Sequence, residues 1–218
     1  MPKVIALAGQ KGGSGKTTTA LCIADEFFRR GKRVLLVDLD PQGTALTSLT
    51  VAQQNDIDGP HGVGMRLGFH KNLESVAEGY DIVVIDCPPG QGELQRAAFM
   101  SSDVALIPCG PSAADIWSIA GTFHLIQQAR GIRPNLFAGI LLTRKDARTQ
   151  LGEQARETLE EASLPTLSTA LGMRVAYQEC LASGMGVTRY APGSAAAKEV
   201  SKLIDEIESA RGPMREVV

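Results

Sequence analysis

A glycine-rich segment near the start of the chain has the residue types that bind phosphate. Residues 10–18 read Gln-Lys-Gly-Gly-Ser-Gly-Lys-Thr-Thr, between the apolar run of residues 4–8 and a stretch with helical periodicity. Gly12, Gly13 and Gly15 allow a backbone with positive φ that turns amide groups inward, and the following helix adds unpaired amides and the positive end of its dipole. Such a loop forms a nest for phosphate groups. The alternative is a glycine-rich strand-to-helix turn that holds no ligand.

The side chains of this loop indicate a nucleoside triphosphate. Lys16 can reach the β- and γ-phosphates, and the Thr17 hydroxyl can ligate a Mg²⁺ held between them. The usual pattern has glycine at its first position, where this chain has Gln10, and a second lysine, Lys11, lies five residues before Lys16. The predicted contacts to the nucleotide are Gly12, Gly13, Ser14, Gly15, Lys16, Thr17 and Thr18.

Acidic residues end two apolar runs that have the length of buried strands. Asp38 and Asp40 follow the run at residues 34–37, and Asp86 ends a second run. The carboxyl ends of the strands carry the ligand site in a doubly wound sheet, so we expect these acids beside the phosphate loop. An aspartate after a hydrophobic strand is also typical of the acid that holds Mg²⁺, commonly through a water molecule. The plainer alternatives are that Asp38 and Asp40 cap the next helix and that Asp86 only ends a strand.

Three segments together resemble the ParA/MinD family of ATPases, most of all the small ParF-like ParA proteins without an N-terminal helix-turn-helix. Residues 11–18 match the deviant Walker A loop with its second lysine, residues 38–43 read Asp-Leu-Asp-Pro-Gln-Gly, and residues 86–90 read Asp-Cys-Pro-Pro-Gly. The resemblance extends over nearly the whole chain, but it is loose after residue 143. It implies that the nucleotide is ATP, bound with Mg²⁺.

The resemblance also implies a role for each motif residue. Lys16 would serve the phosphates of its own nucleotide, Lys11 would reach across a dimer interface to the partner's nucleotide, and Asp40 would position the attacking water. The metal site would consist of Thr17, Asp38 and Asp86. The remaining nucleotide contacts would be Pro88 in a second switch loop and, on the base side, Thr143 and Arg144.

Alternating strand-like and helix-like patterns predict an α/β fold. We expect residues 1–218 to form a single-domain P-loop NTPase, with a mostly parallel twisted sheet and helices on both faces. Residues 53–68 are rich in glycine and lack periodicity, so they are predicted to be a variable surface loop. Residues 112–130 are predicted to form one long helix, in which Trp117 is a packing anchor.

The composition narrows the possible functions. The hydrophobic fraction of 44% and the charged fraction of 21% are ordinary for a globular domain, and the net charge of −2 gives no global basic field for nucleic acid. The chain has no secretory leader pattern and no apolar run near ~18 residues, so a cytoplasmic protein without stable membrane insertion is expected. The four cysteines are scattered and are expected to be buried structural thiols.

The resemblance implies a partition or positioning ATPase that moves a plasmid, a chromosome or a protein cargo on the nucleoid of a bacterium. Its ATP-bound homodimer would bind DNA without sequence preference, and a ParB-like or cargo-adaptor protein would stimulate a weak ATPase. The candidate DNA contacts are Arg144, Lys145, Arg148, Arg189, Lys198 and Lys202. One alternative is a MinD-like regulator at a membrane, although residues 212–218 lack a basic amphipathic pattern. Another is a metabolic ligase of the dethiobiotin synthetase type, which needs neither Lys11 nor the Asp-Pro-Gln segment.

Overall fold

A computed structural model of the chain describes residues 1–90, 92–146, 148–160 and 164–210. Its strands are Lys3–Leu7 (β1), Val34–Asp38 (β2), His61–Gly64 (β3), Ile82–Asp86 (β4), Val104–Cys109 (β5), Phe137–Lys145 (β6) and Thr166–Gly172 (β7). They form one sheet in the order β3-β2-β4-β1-β5-β6-β7, and every pair in it is parallel. The predicted α/β class is confirmed.

Helices cover both faces of this sheet. They are Lys16–Arg29 (α1), Thr44–Gln54 (α2), Leu73–Val76 (α3), Gly92–Met100 (α4), Ala113–Trp117 (α5), Ile119–Arg130 (α6), Leu151–Glu160 (α7), Ala176–Ser183 (α8), Val187–Tyr190 (α9) and Ala195–Ser209 (α10). Alternate residues of a strand belong to opposite cores: Val4 and Ala6 pack with α4, α6 and α7, whereas Ile5 and Leu7 pack with α1 and α10. Burial on both faces explains why the strands read as continuous apolar runs.

The strand order brings the ends of three strands together. β4 lies between β1 and β2, and Asp86 is in register with Leu7 on one side and with Asp38 on the other. Because the strands are parallel, the loop after β1 and the two aspartates lie at the same edge of the sheet. This edge, where the strands have their carboxyl ends, is called the nucleotide edge below.

The prediction of a loop over residues 53–68 is wrong in part. α2 continues to Gln54, and β3 pairs with β2 as a short edge strand. A Cβ added at Gly62 would lie 2.6 Å from Leu49 and 2.8 Å from Leu46, both on α2. Glycine is therefore required because the strand runs close under the helix, and a glycine-rich strand has no hydrophobic alternation that could be read from the sequence.

The predicted long helix over residues 112–130 is also wrong in part, because it is divided into α5 and α6 at Ser118. Trp117 is not a packing anchor: 76% of its surface is exposed. Its neighbour Ile116 packs against the core instead. Residue type indicated that one side of this segment is buried, but the helix break decides which residue faces the core.

Two further expectations concern cysteines and membranes. All four cysteines are buried with free thiols, as expected, and the Sγ atoms of Cys22 and Cys180 are 3.9 Å apart. Within the described ranges, no helix combines the length and apolar character needed to cross a bilayer. The predicted absence of a membrane-targeting pattern in residues 212–218 falls outside the described residues.

Candidate nucleotide site

The loop between β1 and α1 has the backbone shape of a phosphate nest. Gly13 and Gly15 have φ values of 71° and 90°, which L side chains rarely adopt. Gly12 was expected to need the same freedom, but its φ is not positive, and a Cβ added there would meet nothing within 4 Å. Ser14 is buried, and its carbonyl accepts a hydrogen bond of 2.9 Å from the Thr143 hydroxyl. Two of the three glycines are thus required by conformation.

Lys16 begins α1 and lies inside the curl of the loop. Its Nζ donates to the carbonyl oxygen of Lys11 at 2.8 Å, and only 6% of the residue is exposed. Burial lowers the pKa of Lys16, and the carboxylates of Asp86 and Asp40 oppose this effect. Because the helix begins at Lys16, the amides of its first turn have no helical carbonyl partner. An ammonium and free amides therefore face one small space, which suits the phosphates of a nucleotide.

Asp86 is the feature that best fits a metal ion. It is 1% exposed, and neither carboxylate oxygen has a hydrogen-bond partner of ordinary geometry among the described residues. Burial raises its pKa to about 7; the Thr17 hydroxyl and Lys16 lower it, and Asp38 raises it further. A hard cation such as Mg²⁺ prefers carboxylate and hydroxyl oxygens. Asp86 and Thr17 therefore offer donors of the right chemistry, and a cation there would compensate the charge of the unpartnered carboxylate.

Asp38 has a different environment, although it lies beside Asp86 in register. Its Oδ1 accepts from the amide of Asp40 at 2.9 Å, and its Oδ2 accepts from the amide of Leu46 at 3.3 Å. It thus holds the loop after β2 and the start of α2, which is the capping alternative that the sequence left open. Burial also raises the pKa of Asp38. Both oxygens are already used by amides, so support of a metal by Asp38 stays a prediction.

Asp40 lies in the loop that Asp38 holds. One of its oxygens accepts from the amide of Gln42 at 2.9 Å, and its carbonyl accepts from Gly43 at 3.0 Å. It is half-buried. Its negative charge acts on the pKa values of both Lys16 and Asp86, which places it beside the phosphate loop.

The loop that contains Pro88 is attached to the phosphate loop by a residue that the sequence reasoning missed. Gln95 on α4 is fully buried, and its Nε2 donates to the carbonyls of Gly9 at 3.1 Å and Pro88 at 3.2 Å. The sequence did contain a signal, because Gln95 is a polar side chain on the otherwise apolar face of α4. Gln95 therefore fixes the distance between the segment after β1 and the segment after β4.

A cleft of about 230 Å³ adjoins the phosphate loop on the side of β6 and β7. It is lined by Gly13, Gly15, Thr18, Thr19, Thr143, Arg144, Leu171, Gly172, Met173, Arg174, Tyr177 and Gln178. Thr143 and Arg144 were predicted here, but Thr143 is buried and holds the phosphate loop through Ser14. The segment from Gly172 to Gln178 was missed, since it contains no motif. The cleft has the position and the mixed polar and apolar lining expected for a nucleoside.

The side chain of Lys11 turns away from the phosphate loop of its own chain. Its Nζ lies 2.7 Å from Oδ1 of Asp115 on α5, and 41% of the side chain remains exposed. Asp115 is 4% exposed and also accepts from the Ser112 hydroxyl at 2.5 Å and from Nη2 of Arg144 at 3.2 Å. Burial alone would raise the pKa of Asp115, but these hydrogen bonds and charges hold it below its ordinary value. No sequence pattern singled out Asp115.

One predicted DNA contact, Arg189, forms an ion pair within the chain. The guanidinium of Arg189 binds the carboxylate of Asp25, which is fully buried on α1, and it also donates to the carbonyl of Asp58 at 2.8 Å. The same guanidinium lies 5.4 Å from the centre of the Phe28 ring. Arg189 therefore neutralises a buried acid and joins α9 to α1, because an unpaired carboxylate at that depth would be strongly destabilising.

The other basic candidates differ in how far their charge is offset. Arg144 binds Asp115, Lys145 is paired with Glu153 on α7, and the highly exposed Arg148 is paired with a nearby aspartate. Lys198 and Lys202 are exposed at one-turn spacing on α10 and form no ion pair in the described part of the chain. Among the basic candidates, Lys198 and Lys202 are thus the two whose positive charge is least neutralised by a neighbouring carboxylate.

Comparison with known proteins agrees with this geometry. Residues 5–187 match the CobQ/CobB/MinD/ParA nucleotide binding domain. The chain is 32% identical to Maintenance of carboxysome distribution protein A of Halothiobacillus neapolitanus, over 93% of this chain and 95% of that protein. It is also 32% identical to Chromosome-partitioning ATPase Soj of Thermus thermophilus, over 93% and 94%.

A solved structure extends the comparison of the fold. Cobyrinic acid a,c-diamide synthase from Mycobacterium smegmatis, with bound ATP analog and magnesium, superposes with a TM-score of 0.77 at 23% identity. The match covers 99% of this chain and 100% of that one. At this identity the likeness shows the fold alone. The family match and the two relatives confirm the predicted resemblance: the chain belongs to the ParA/MinD family of P-loop ATPases.

Proposed function

We propose that this protein is a positioning ATPase that forms a homodimer around ATP and Mg²⁺ and binds DNA in that state. The observation that carries the proposal is the second lysine of the phosphate loop. Lys16 occupies the space for the phosphates of its own nucleotide, whereas the partly exposed Lys11 side chain points away from it. Because the Lys11 ammonium does not occupy the phosphate site of its own chain, it is available to the nucleotide of a second copy.

The described residues fit Mg²⁺ with ATP. Asp86 would hold the ion, directly or through water, with the Thr17 hydroxyl beside it, and Asp38 would support the site through the loop that it caps. Bound there, Mg²⁺ would offset the negative charge of the phosphates during their transfer. Lys16 and the amides at the start of α1 would orient the phosphates, and the cleft beside Thr143 and Arg144 would take the nucleoside.

Hydrolysis requires a group that orients water at the terminal phosphate. Asp40 is the candidate, because it is half-buried beside Lys16 and Asp86 and is held by a capped loop. The loop of Pro88 would respond to the same phosphate, and Gln95 would transmit its position to the phosphate loop. The family resemblance implies that this hydrolysis is slow until an activator protein stimulates it.

The cellular role is proposed from the relatives. Their names describe chromosome partitioning in one case and carboxysome distribution in the other, so the cargo would be DNA or a protein assembly. A ParB-like or cargo-adaptor protein would stimulate hydrolysis, and the protein would work in the cytoplasm on the nucleoid. With a net charge of −2, DNA affinity would depend on a local patch that dimerisation doubles, with Lys198, Lys202 and Arg148 as its candidates.

The metabolic ligase remains the rival from a different class, because the fold is shared with a synthase. The ligase chemistry provides no reason for an outward-facing Lys11, so that residue separates the two functions. A MinD-like role at a membrane would require a targeting segment, and liposome pelleting beside DNA pelleting tests it directly.

Sedimentation with a slowly hydrolysed ATP analogue tests the proposal. Wild-type protein should dimerise, Lys16→Ala should lose nucleotide binding, and Lys11→Ala should bind nucleotide but stay monomeric. The matched control is Lys32→Ala, an exposed lysine at the opposite edge of the sheet. Full dimerisation of Lys11→Ala would remove the basis for the proposal.

A further inference from the structure

We propose that Arg144 is a positioning residue for dimerisation: it stays on Asp115 when Lys11 leaves, and so makes the departure of Lys11 possible. This role rests on the proposed function, in which Lys11 serves the nucleotide of the partner. It concerns a different step, the release of Lys11 from its own subunit. Arg144 was predicted from the sequence only as a base-side contact and a candidate DNA contact.

The contacts of Asp115 define a shared carboxylate with two cations. Lys11 Nζ lies 2.7 Å from Oδ1, and Nη2 of Arg144 lies 3.3 Å from Oδ1 and 3.2 Å from Oδ2. The Ser112 hydroxyl donates to Oδ2 at 2.5 Å, and the side chain of Asp115 is only 5% exposed. Lys11 is therefore not required to neutralise Asp115 as long as Arg144 is present.

The burial of Asp115 makes a second cation necessary. Removing one partner of a buried ion pair is strongly destabilising when it leaves a charge without compensation. In this chain the Asp115 carboxylate would keep Arg144 and Ser112 after Lys11 moves to a phosphate. If Arg144 is removed, Lys11 becomes the one cation on Asp115 among the described residues, and its transfer leaves a buried carboxylate with only a hydroxyl.

Space is limited around Arg144 where its guanidinium meets Asp115. Its backbone has a φ of 54°, an uncommon value for a residue with a side chain, and its Nε is buried without a hydrogen-bond partner in the described ranges. A Cβ added at Gly110 would overlap Nη2 of Arg144 and lie 2.6 Å from Oδ2 of Asp115. Gly110 thus leaves room for this pair. The adjacent Thr143 ties the same strand end to the phosphate loop through Ser14.

The test is run without DNA, so that a role in DNA binding has no effect, and compares Arg144→Gln with Arg148→Gln, which removes the same charge from an exposed residue four positions later. Dimer dissociation constants are measured by sedimentation in a slowly hydrolysed ATP analogue, and monomer affinity for the analogue is measured separately. We expect Arg144→Gln to raise the dimer dissociation constant about tenfold for the Asp115 of each subunit, which is roughly a hundredfold for the two subunits together. Arg148→Gln should change the dimer dissociation constant by less than about twofold.

A second variant separates this role from a general structural one. Asp115→Asn removes the buried charge, so neither cation is needed there. The double variant with Asp115→Asn and Arg144→Gln should have a dimer dissociation constant within about threefold of that of Asp115→Asn alone. Asp115→Asn alone should dimerise at least as tightly as wild type, because Lys11 is already released.

The outcomes are distinct. Equal effects of Arg144→Gln and Arg148→Gln, or an undiminished effect of Arg144→Gln when Asp115 is Asn, would overturn the inference alone. A weakening of the Arg144→Gln dimer that is fully accounted for by lower monomer affinity for the analogue would assign Arg144 to nucleotide contact alone and would also overturn it. A wild-type protein that stays monomeric with the analogue would instead refute the proposed function, and the inference with it.

Discussion

Replacing Asp86 with asparagine should make the nucleotide-free protein more stable at neutral pH. Asp86 is 1% exposed, and its carboxylate oxygens have no hydrogen-bond partner of ordinary geometry among the described residues. Burial raises its pKa from 3.8 to about 7. Folding without a cation therefore opposes ionisation of this group, and asparagine keeps its shape without the charge.

The magnitude follows from linkage between protonation and folding. Between pH 4 and pH 7 the folded state holds a proton on Asp86 that the unfolded state has released, so stability falls as pH rises. The difference between 3.8 and about 7, at 1.36 kcal/mol per pH unit, gives a loss of roughly 4 kcal/mol in total. About 3 kcal/mol of this loss should occur between pH 5 and pH 8. Asp86→Asn should lack this component entirely.

The assay is urea unfolding of wild type and Asp86→Asn at pH 5 and pH 8 in EDTA. The difference in unfolding free energy between the proteins isolates Asp86, because all other groups titrate in both. Adding Mg²⁺ with ADP at pH 8 should stabilise wild type and have little effect on the variant. Stability profiles that run parallel in the two proteins from pH 5 to pH 8 would refute the assignment of this pH dependence to Asp86.

Two further predictions concern hydrolysis and DNA. Asp40→Ala should retain nucleotide binding and accumulate the ATP-bound dimer while phosphate release falls, as measured by sedimentation and a phosphate assay; loss of nucleotide binding would instead make Asp40 structural. Lys198→Gln with Lys202→Gln should weaken ATP-dependent DNA binding and reduce the salt slope by about 0.9 for each DNA phosphate that is no longer neutralised, in filter binding at several salt concentrations. Lys32→Gln with Lys71→Gln, exposed at the opposite edge, is the control, and equal weakening in both double variants would contradict this assignment.

The fold class and the centre of the site could be predicted from the order of residues alone. Continuous apolar runs predicted strands buried on both faces, and the parallel sheet follows from their alternation with helices. Lys16 after a glycine loop and Asp86 at a strand end could be placed together from the sequence, because carboxyl ends of parallel strands share one edge. These features are local patterns, so neighbouring residues are enough to reveal them.

The pairing of the charged residues became visible only in the folded chain. Lys11 and Asp115 belong to different elements, and so do Arg189 and Asp25, whose positions are 164 residues apart in the chain. No periodicity relates such partners, so the sequence could not show that Arg189 neutralises the buried Asp25.

The same reason explains the misjudged elements. Trp117 has the residue type of a core anchor, yet the break at Ser118 leaves it exposed, and the glycines of β3 are needed because α2 lies against them. The hydrophobic pattern of the sequence indicates which segments are buried, because the tendency to be buried depends on each residue's own side chain. Ion pairs, close approaches and helix breaks depend on two distant segments meeting, and that is fixed only when the chain has folded.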